Sequence, residues 1–357
     1  MKHMKFLSFF LGIAFAIIAC SSNNETIPAP EVDPDGDDGT TEVEFAKGAD
    51  IGWVTEYESK GYNFYNAKGE QRECTALMKE LGLDAIRIRV WVDPSKHGNW
   101  CNTADVVEKA KRAKELGMDV MIDFHYSDWW ADPAQQNKPA SWVGKNLVNL
   151  KSAIKDHTVS VLQALKEIGV IPKWVQVGNE IRPGMLWDED VALSGASYNV
   201  TEKDLKDALA SATDKVVYPM NWANLGAFVT TGYDAVKSVF PDAIVIVHLD
   251  NGWDSGLFTW FFDELKKNGG KWDMIGMSLY PYWSRDAKEG YSSADAVITD
   301  CISNIKALST KYNCDVMVVE TGMECADDNG KYLCFERGKE ATCPYLERVQ
   351  GKYQRSL

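Results

Sequence analysis

The 357-residue chain carries 52 acidic against 38 basic side chains, a formal charge of −14 with no basic stripe to offset it. That balance excludes a nucleic-acid partner. Beyond the leader and tether described next, what remains is long enough for one large domain and suits a barrel better than two small ones.

Lys2 and Lys5 precede the apolar run Phe6 to Ile18, followed by Ala19 and Cys20. A basic start, a short apolar stretch and a small residue before the break describe a secretory signal, and the run is too short to span a bilayer. The cysteine at the break resembles the lipobox of bacterial lipoproteins, which implies lipidation at Cys20, export, and attachment at the outer membrane or cell surface. Ser21 to Glu44 is rich in Ser, Asn, Pro, Gly and Asp and has almost nothing to bury, so it reads as a solvated tether. The expected organisation is a signal over 1–20, an acidic tether over 21–45, a folded domain over 46–330 and an atypical tail over 331–357.

Strand and helix patterns then alternate. Lys47–Trp53 reads as a strand and Gln71–Gly82 as a helix; Ala85–Trp91 is a second strand, and Thr103–Gly117 its helix with Thr103 as N-cap. Asp119–Tyr126 is a strand, Lys145–Gly169 a helical span, and Lys173–Val177 a strand, followed by a polar insertion around Ser194–Asp204. Helices near Leu225–Phe240, Leu257–Asn268 and Ala294–Tyr312 precede strands at Ile244–Asp250, Met274–Pro281 and Asp315–Gly322. This alternation predicts parallel strands with helical crossovers, and a (β/α)8 barrel first. A doubly wound sheet is the alternative, weakened because no Gly-rich phosphate fingerprint follows the first strand.

Two of the apolar runs stop on a glutamate. KWVQVGNEIR ends on Gly178, Asn179 and Glu180 before Ile181, and DVMVVETG ends on Glu320. In a parallel barrel the active site is built at the C-terminal ends of the strands, which is where both carboxylates fall. Either segment alone could be a helix-capping loop. Together they form the minimum equipment for glycoside hydrolysis, a general acid/base and a nucleophile. Thirteen tryptophans, many beside turns, fit a carbohydrate cleft because indole stacks on the C–H faces of sugars, although most serve packing.

The stretches GADIGWVTEYE, AIRIRVWVDP, DFHYSDWWADP, VQVGNEI, MSLYPYW and VVETG, in this order, resemble the endo-β-1,4-galactanases of glycoside hydrolase family 53 from about Lys47 to about Glu324. The resemblance implies a retaining (β/α)8 glycosidase with Glu180 as acid/base and Glu320 as nucleophile. Its substrate would be the β-1,4-galactan of pectic arabinogalactan, and hydrolysis would require no cofactor. Arg87 and Arg89 lie two apart and point to the same side; the resemblance favours Arg87 as the contact to the nucleophile, with Arg89 equally readable as a buried structural ion pair. Asn179 would bond the sugar 2-hydroxyl, and His125 and Tyr280 would bind sugar and orient the nucleophile. Asp128, Trp129, Trp130 and Trp283 would line subsites. Related activities remain open: a hydrolase of the same clan on another β-linked polymer such as mannan, or a surface glycan-binding lipoprotein or inactive homologue.

Asp123, His125 and Asp128 lack the second nearby histidine that a catalytic zinc would want. The resemblance implies a structural calcium after the nucleophile, for which Glu324, Asp327, Asp328 and Asn329 offer oxygen donors. Their spacing matches no recognised calcium loop and also suits a solvated acidic turn. Seven cysteines besides Cys20 suit an oxidising compartment but leave one unpaired. Past Asn329 the chain departs from the family pattern, and Lys331 to Leu357 contains no apolar run of strand length. The expectation is therefore a barrel whose eighth strand is missing or altered, with two exposed parallel edges.

Overall fold

A computed structural model describes residues 45–133, 135–187, 221–281, 284 and 294–322. Cys20, the tether, the 194–204 insertion, Trp283, Glu324, Asp327, Asp328, Asn329 and the tail lie outside the described residues. Seven strands form one sheet in chain order: β1 Gly48–Asp50, β2 Ala85–Val90, β3 Asp119–Phe124, β4 Trp174–Val177, β5 Ile244–Leu249, β6 Met274–Leu279 and β7 Asp315–Thr321. Every neighbouring pair is parallel. The crossovers carry helices α1 Val54–Ser59, α2 Cys74–Glu80, α3 Thr103–Glu115, α4 Leu147–Glu167, α5 Trp222–Val239, α6 Ser255–Lys267 and α7 Ala294–Tyr312. This is the architecture of a (β/α)8 barrel with an unsealed seam: among the described residues β1 pairs only with β2, and β7 only with β6.

Strand periodicity builds two interiors. Ile86, Ile88 and Val90 of β2, Ile122 and Phe124 of β3, Val175 and Val177 of β4, and Val245 and Val247 of β5 point outward into the main apolar core beneath the helices. Each such fully buried side chain contributes about 1.5–3 kcal/mol. On the other parity, Ala85, Met121, Trp174, Ile246 and Met274 form a separate apolar cluster, the floor of the barrel. Two residues further along each strand, the same inward parity brings up Arg87, Asp123, Gln176, His248 and Gly276, and two residues beyond Gly276 comes Ser278. A Cβ at Gly276 would meet Ile246 Cγ2 at 2.7 Å, so glycine keeps room for the isoleucine of the neighbouring strand.

Three local expectations are corrected. Gln71–Arg72 pairs antiparallel with Phe64–Tyr65 as a short hairpin, so α2 begins only at Cys74, where the Glu73 carboxylate accepts the Ala76 N–H. Helix α3 is capped by Asn102, whose side chain accepts the Asp105 N–H, and Thr103 is its first helical residue; asparagine is the stronger cap of the two. The first strand is shorter than the apolar run suggests, because Asp50 turns back to accept the Gly52 N–H at 2.8 Å and α1 starts at Val54. Cys74, Cys101, Cys301 and Cys314 are free thiols, the first three buried.

Candidate active site

Glu180 is delivered by an abrupt exit from β4. Gly178 takes φ 83° and Glu180 itself φ 48°, left-handed conformations that a strand ending on an ordinary helix cap would not need. The exit is fastened by the Ile181 N–H to the His248 carbonyl at 3.0 Å and by Gln136 Nε2 donating to the Asn179 carbonyl at 2.8 Å. Glu180 is only 8% exposed. Its Oε1 accepts the Ser278 hydroxyl at 2.5 Å.

Glu320 arrives from the seam. An irregularity in the β6–β7 register between Met277 and Ser278 sets Ser278 opposite Glu320. One carboxylate oxygen lies 2.7 Å from Arg87 Nη1, and the other accepts the Tyr280 hydroxyl at 3.1 Å. Glu180, Glu320 and His248 each present a polar atom within 4.8 Å of the other two.

Arg87 joins the two sides. It pairs with Asp50 at 2.9 Å and Asp123 at 2.9 Å, and donates to Asn179 Oδ1 at 2.9 Å and Gln176 Oε1 at 3.2 Å. Burial alone would lower its pKa, but Asp123, Glu320 and Asp50 outweigh that and raise it. Burial would raise Asp123, yet Arg87 and then His125 hold it below the usual carboxylate range; Arg89 and Arg87 do the same for Asp50. Glu180 behaves oppositely. Burial first, then the negative charges of Glu320 and Asp250, push its carboxyl well above the ordinary value, with Ser278 opposing. Burial and Glu320 also push the Tyr280 phenol well up, so it remains a donor at neutral pH. A buried acid beside an oxyanion-bearing partner is the arrangement that lets one carboxyl hold a proton while its neighbour stays charged.

The sequence model of Glycosyl hydrolase family 53 matches residues 46–355. An arabinogalactan endo-β-1,4-galactanase of Thermothelomyces thermophilus is 31% identical over 292 residues, covering 80% of this chain and 76% of that protein. A structure reported among two fungal β-1,4-galactanases superposes with a TM-score of 0.64 at 31% identity, over 80% of this chain and 76% of its own. The Ignisphaera aggregans GH53 catalytic domain superposes with a TM-score of 0.63 at 29% identity, over 79% and 70%. The chain belongs to glycosyl hydrolase family 53.

Within this family-53 barrel the other expected site residues fall into two groups. Asn179 lies in the polar layer: it accepts from Arg87 and donates to the Ala131 carbonyl at 2.7 Å. His125 is 2% exposed, with Nε2 at 2.9 Å from Asp123 and Nδ1 accepting the Ala131 N–H at 3.0 Å, so both ring nitrogens fasten the loop after β3. Asp128 likewise accepts the Asp93 and Ala140 N–H groups at 3.0 and 2.8 Å. The aromatic rim comes from the loops after β2 and β3. Trp91 packs against Trp129 with ring centroids 4.4 Å apart, His97 stacks on Trp129 at 3.7 Å, and the Arg89 guanidinium lies 4.2 Å from the centre of Trp130. Arg89 also reaches Asp50 at 3.3 Å. Trp130, 39% exposed, and the exposed His97 are the rings this rim offers to solvent.

Sequence reading passed over Asp50, Gln176, His248 and Ser278. His248 Nδ1 lies 2.9 Å from Gln176 Nε2, and its Nε2 lies 2.8 Å from Ser278 Oγ. Both nitrogens are thus engaged inside the protein, so His248 offers no spare ring nitrogen as a metal ligand beside Glu180 and Glu320. Their signal was in the sequence: each stands on the inward parity of its strand beyond an apolar inward residue.

Proposed function

We propose that this family-53 chain is an endo-acting β-1,4-galactanase working by double displacement. What carries the reading is the pair itself, two strand-end carboxylates approaching within 4.8 Å, one protonated by its surroundings and the other against a guanidinium. Retaining enzymes hold their carboxyls roughly 5–5.5 Å apart, inverting ones wider to admit a water. Glu320 attacks the anomeric carbon as the glycosidic C–O bond breaks, and the Glu180 proton goes to the leaving oxygen. A water then gives its proton to Glu180 while its oxygen displaces Glu320 from the sugar. Asn179, held by Arg87 and Ala131, faces the 2-hydroxyl in this reading, and the Trp130 rim takes a neighbouring sugar.

Reducing ends released from β-1,4-galactan, set against a panel that includes β-mannan, test the substrate. Release from galactan alone, with the new anomeric centre first formed in the β configuration, is the expected result. Activity confined to another polymer, or initial α product, rejects the reading. Lipid attachment at Cys20 and a surface location are proposed on the lipobox alone; labelled fatty acid should enter the wild type and not Cys20→Ala.

A further inference from the structure

The chain behind Glu180 has a direction. Gln176 Nε2 has two hydrogens, and its two shortest contacts are Asp123 Oδ1 at 2.7 Å and His248 Nδ1 at 2.9 Å. The Glu180 backbone N–H points at the same Nδ1 from 3.4 Å. With two donors aimed at it, Nδ1 is the acceptor nitrogen of a neutral ring. Asn179 Oδ1, 3.1 Å away, is meanwhile taken by the Arg87 guanidinium at 2.9 Å. Burial first and then Arg87 hold the His248 pKa well below its ordinary value, which keeps the ring neutral; Asp123 opposes them and His125 adds to them. The ring hydrogen is therefore on Nε2, and it is donated to Ser278 Oγ at 2.8 Å. That contact uses the acceptor side of the serine, whose own hydrogen is left for Glu180 Oε1.

We infer that His248 is a positioning residue acting through Ser278: by fixing the direction of the serine hydroxyl it keeps Glu180 Oε1 a permanent acceptor and confines the transferable proton to Oε2. His248 and Ser278 are 0% and 1% exposed and sit beneath Glu180, so neither touches substrate. The inference rests on the acid/base reading of Glu180 and deepens it. A carboxyl whose two oxygens are chemically distinct delivers its proton along one line, and it recovers one along the same line when water attacks. The hydroxyl also favours the charged carboxylate, against burial, Glu320 from β7, Asp250 just past β5 and Asp132 from the loop after β3.

The test reads Glu180 directly. In full-length protein labelled with 13C at glutamate carboxyls, the Glu180 signal is identified by its loss in Glu180→Gln and titrated in wild type, Ser278→Ala, His248→Leu and the double variant. Removing the hydroxyl donor should raise the Glu180 midpoint by about one pH unit, the worth of a hydrogen bond to a charged group. His248→Leu should move it in the same direction and by less, the double variant no further than Ser278→Ala alone, and His248→Gln, whose amide N–H stands in for Nε2–H, back toward wild type. The alkaline limb of kcat/KM should follow the same order. An unmoved midpoint in Ser278→Ala, or a full His248→Leu shift when the serine is already gone, overturns the inference. Because the titration needs no turnover, it gives its answer even if galactan is not cleaved, a result that would reject the proposed function instead.

Discussion

Glu180 and Glu320 face each other across one mouth, and the barrel treats them in opposite ways. Glu180 follows β4, a strand buried at every position, and is met by a neutral hydroxyl backed by a neutral imidazole, with like charges nearby. Glu320 lies one residue before the end of β7, a strand partly exposed along most of its length, and is met by a guanidinium and a phenol. The polarity of a carboxyl pair is thus written in what surrounds each member. Burial and like charges in a closed site hold a proton on Glu180 against the pull of its hydroxyl donor, whereas Glu320 meets its cation at an open edge.

The largest expected effect exchanges the two roles for amides. Glu180→Gln and Glu320→Gln should each lower galactan hydrolysis by roughly 10²–10⁴-fold or more while leaving the far-ultraviolet circular dichroism unchanged. On an activated aryl galactoside they should part: Glu180→Gln releases a rapid burst of phenol, because a good leaving group needs little acid, and Glu320→Gln releases none. Equal loss on that substrate would erase the distinction between the two sides.

Next in size is the cation. Arg87→Met strips the shared partner from Asp50, Asp123 and Glu320 at once and should destabilise the fold by about 3–5 kcal/mol in urea melts, the usual result of stranding a buried charge. A loss under 1 kcal/mol would mean that the Glu320 side does not depend on its guanidinium.

The smallest effect is a difference in sign with pH. Glu180 has a folded pKa raised above its ordinary value of 4.5; its contribution to stability is complete below that value and is lost as pH rises toward the folded pKa. Asp50 and Asp123 are depressed from 3.8, so theirs is complete above that value and lost as pH falls through their folded pKa values. The stability of Glu180→Gln relative to wild type should therefore improve as pH rises from about 4.5, by up to about 1.4 kcal/mol per pH unit within the window. Chemical denaturation at a series of pH values measures it; a flat difference would show that Glu180 is not held protonated.

The two glutamates were legible because an apolar strand that stops on a carboxylate is a local pattern, and so was the alternation that makes the barrel. The polar layer beneath them was not. His248 lies inside IVIVHLD and Gln176 inside WVQV, runs whose apolar outward residues dominate any count of hydrophobicity. Only pairing one strand's inward parity with its neighbours' shows that Arg87, Asp123, Gln176, His248 and Ser278 meet. The hairpin at Phe64–Tyr65 and Gln71–Arg72 was read as the start of a helix because two-residue strands leave too few positions for a period to show.

The backbone at Glu180 has a consequence for how such a barrel changes over generations. Its φ of 48° is a conformation that glycine and asparagine enter readily and that other residues hold at a cost of about 1 kcal/mol. On the proposed mechanism turnover requires glutamate there, while folding would be served better by a smaller, uncharged residue. Selection for activity and selection for stability pull in opposite directions at this one position. In a lineage that stopped cleaving its polymer, position 180 would drift first, toward asparagine or glycine, and the descendants would be sturdier proteins for having lost their acid.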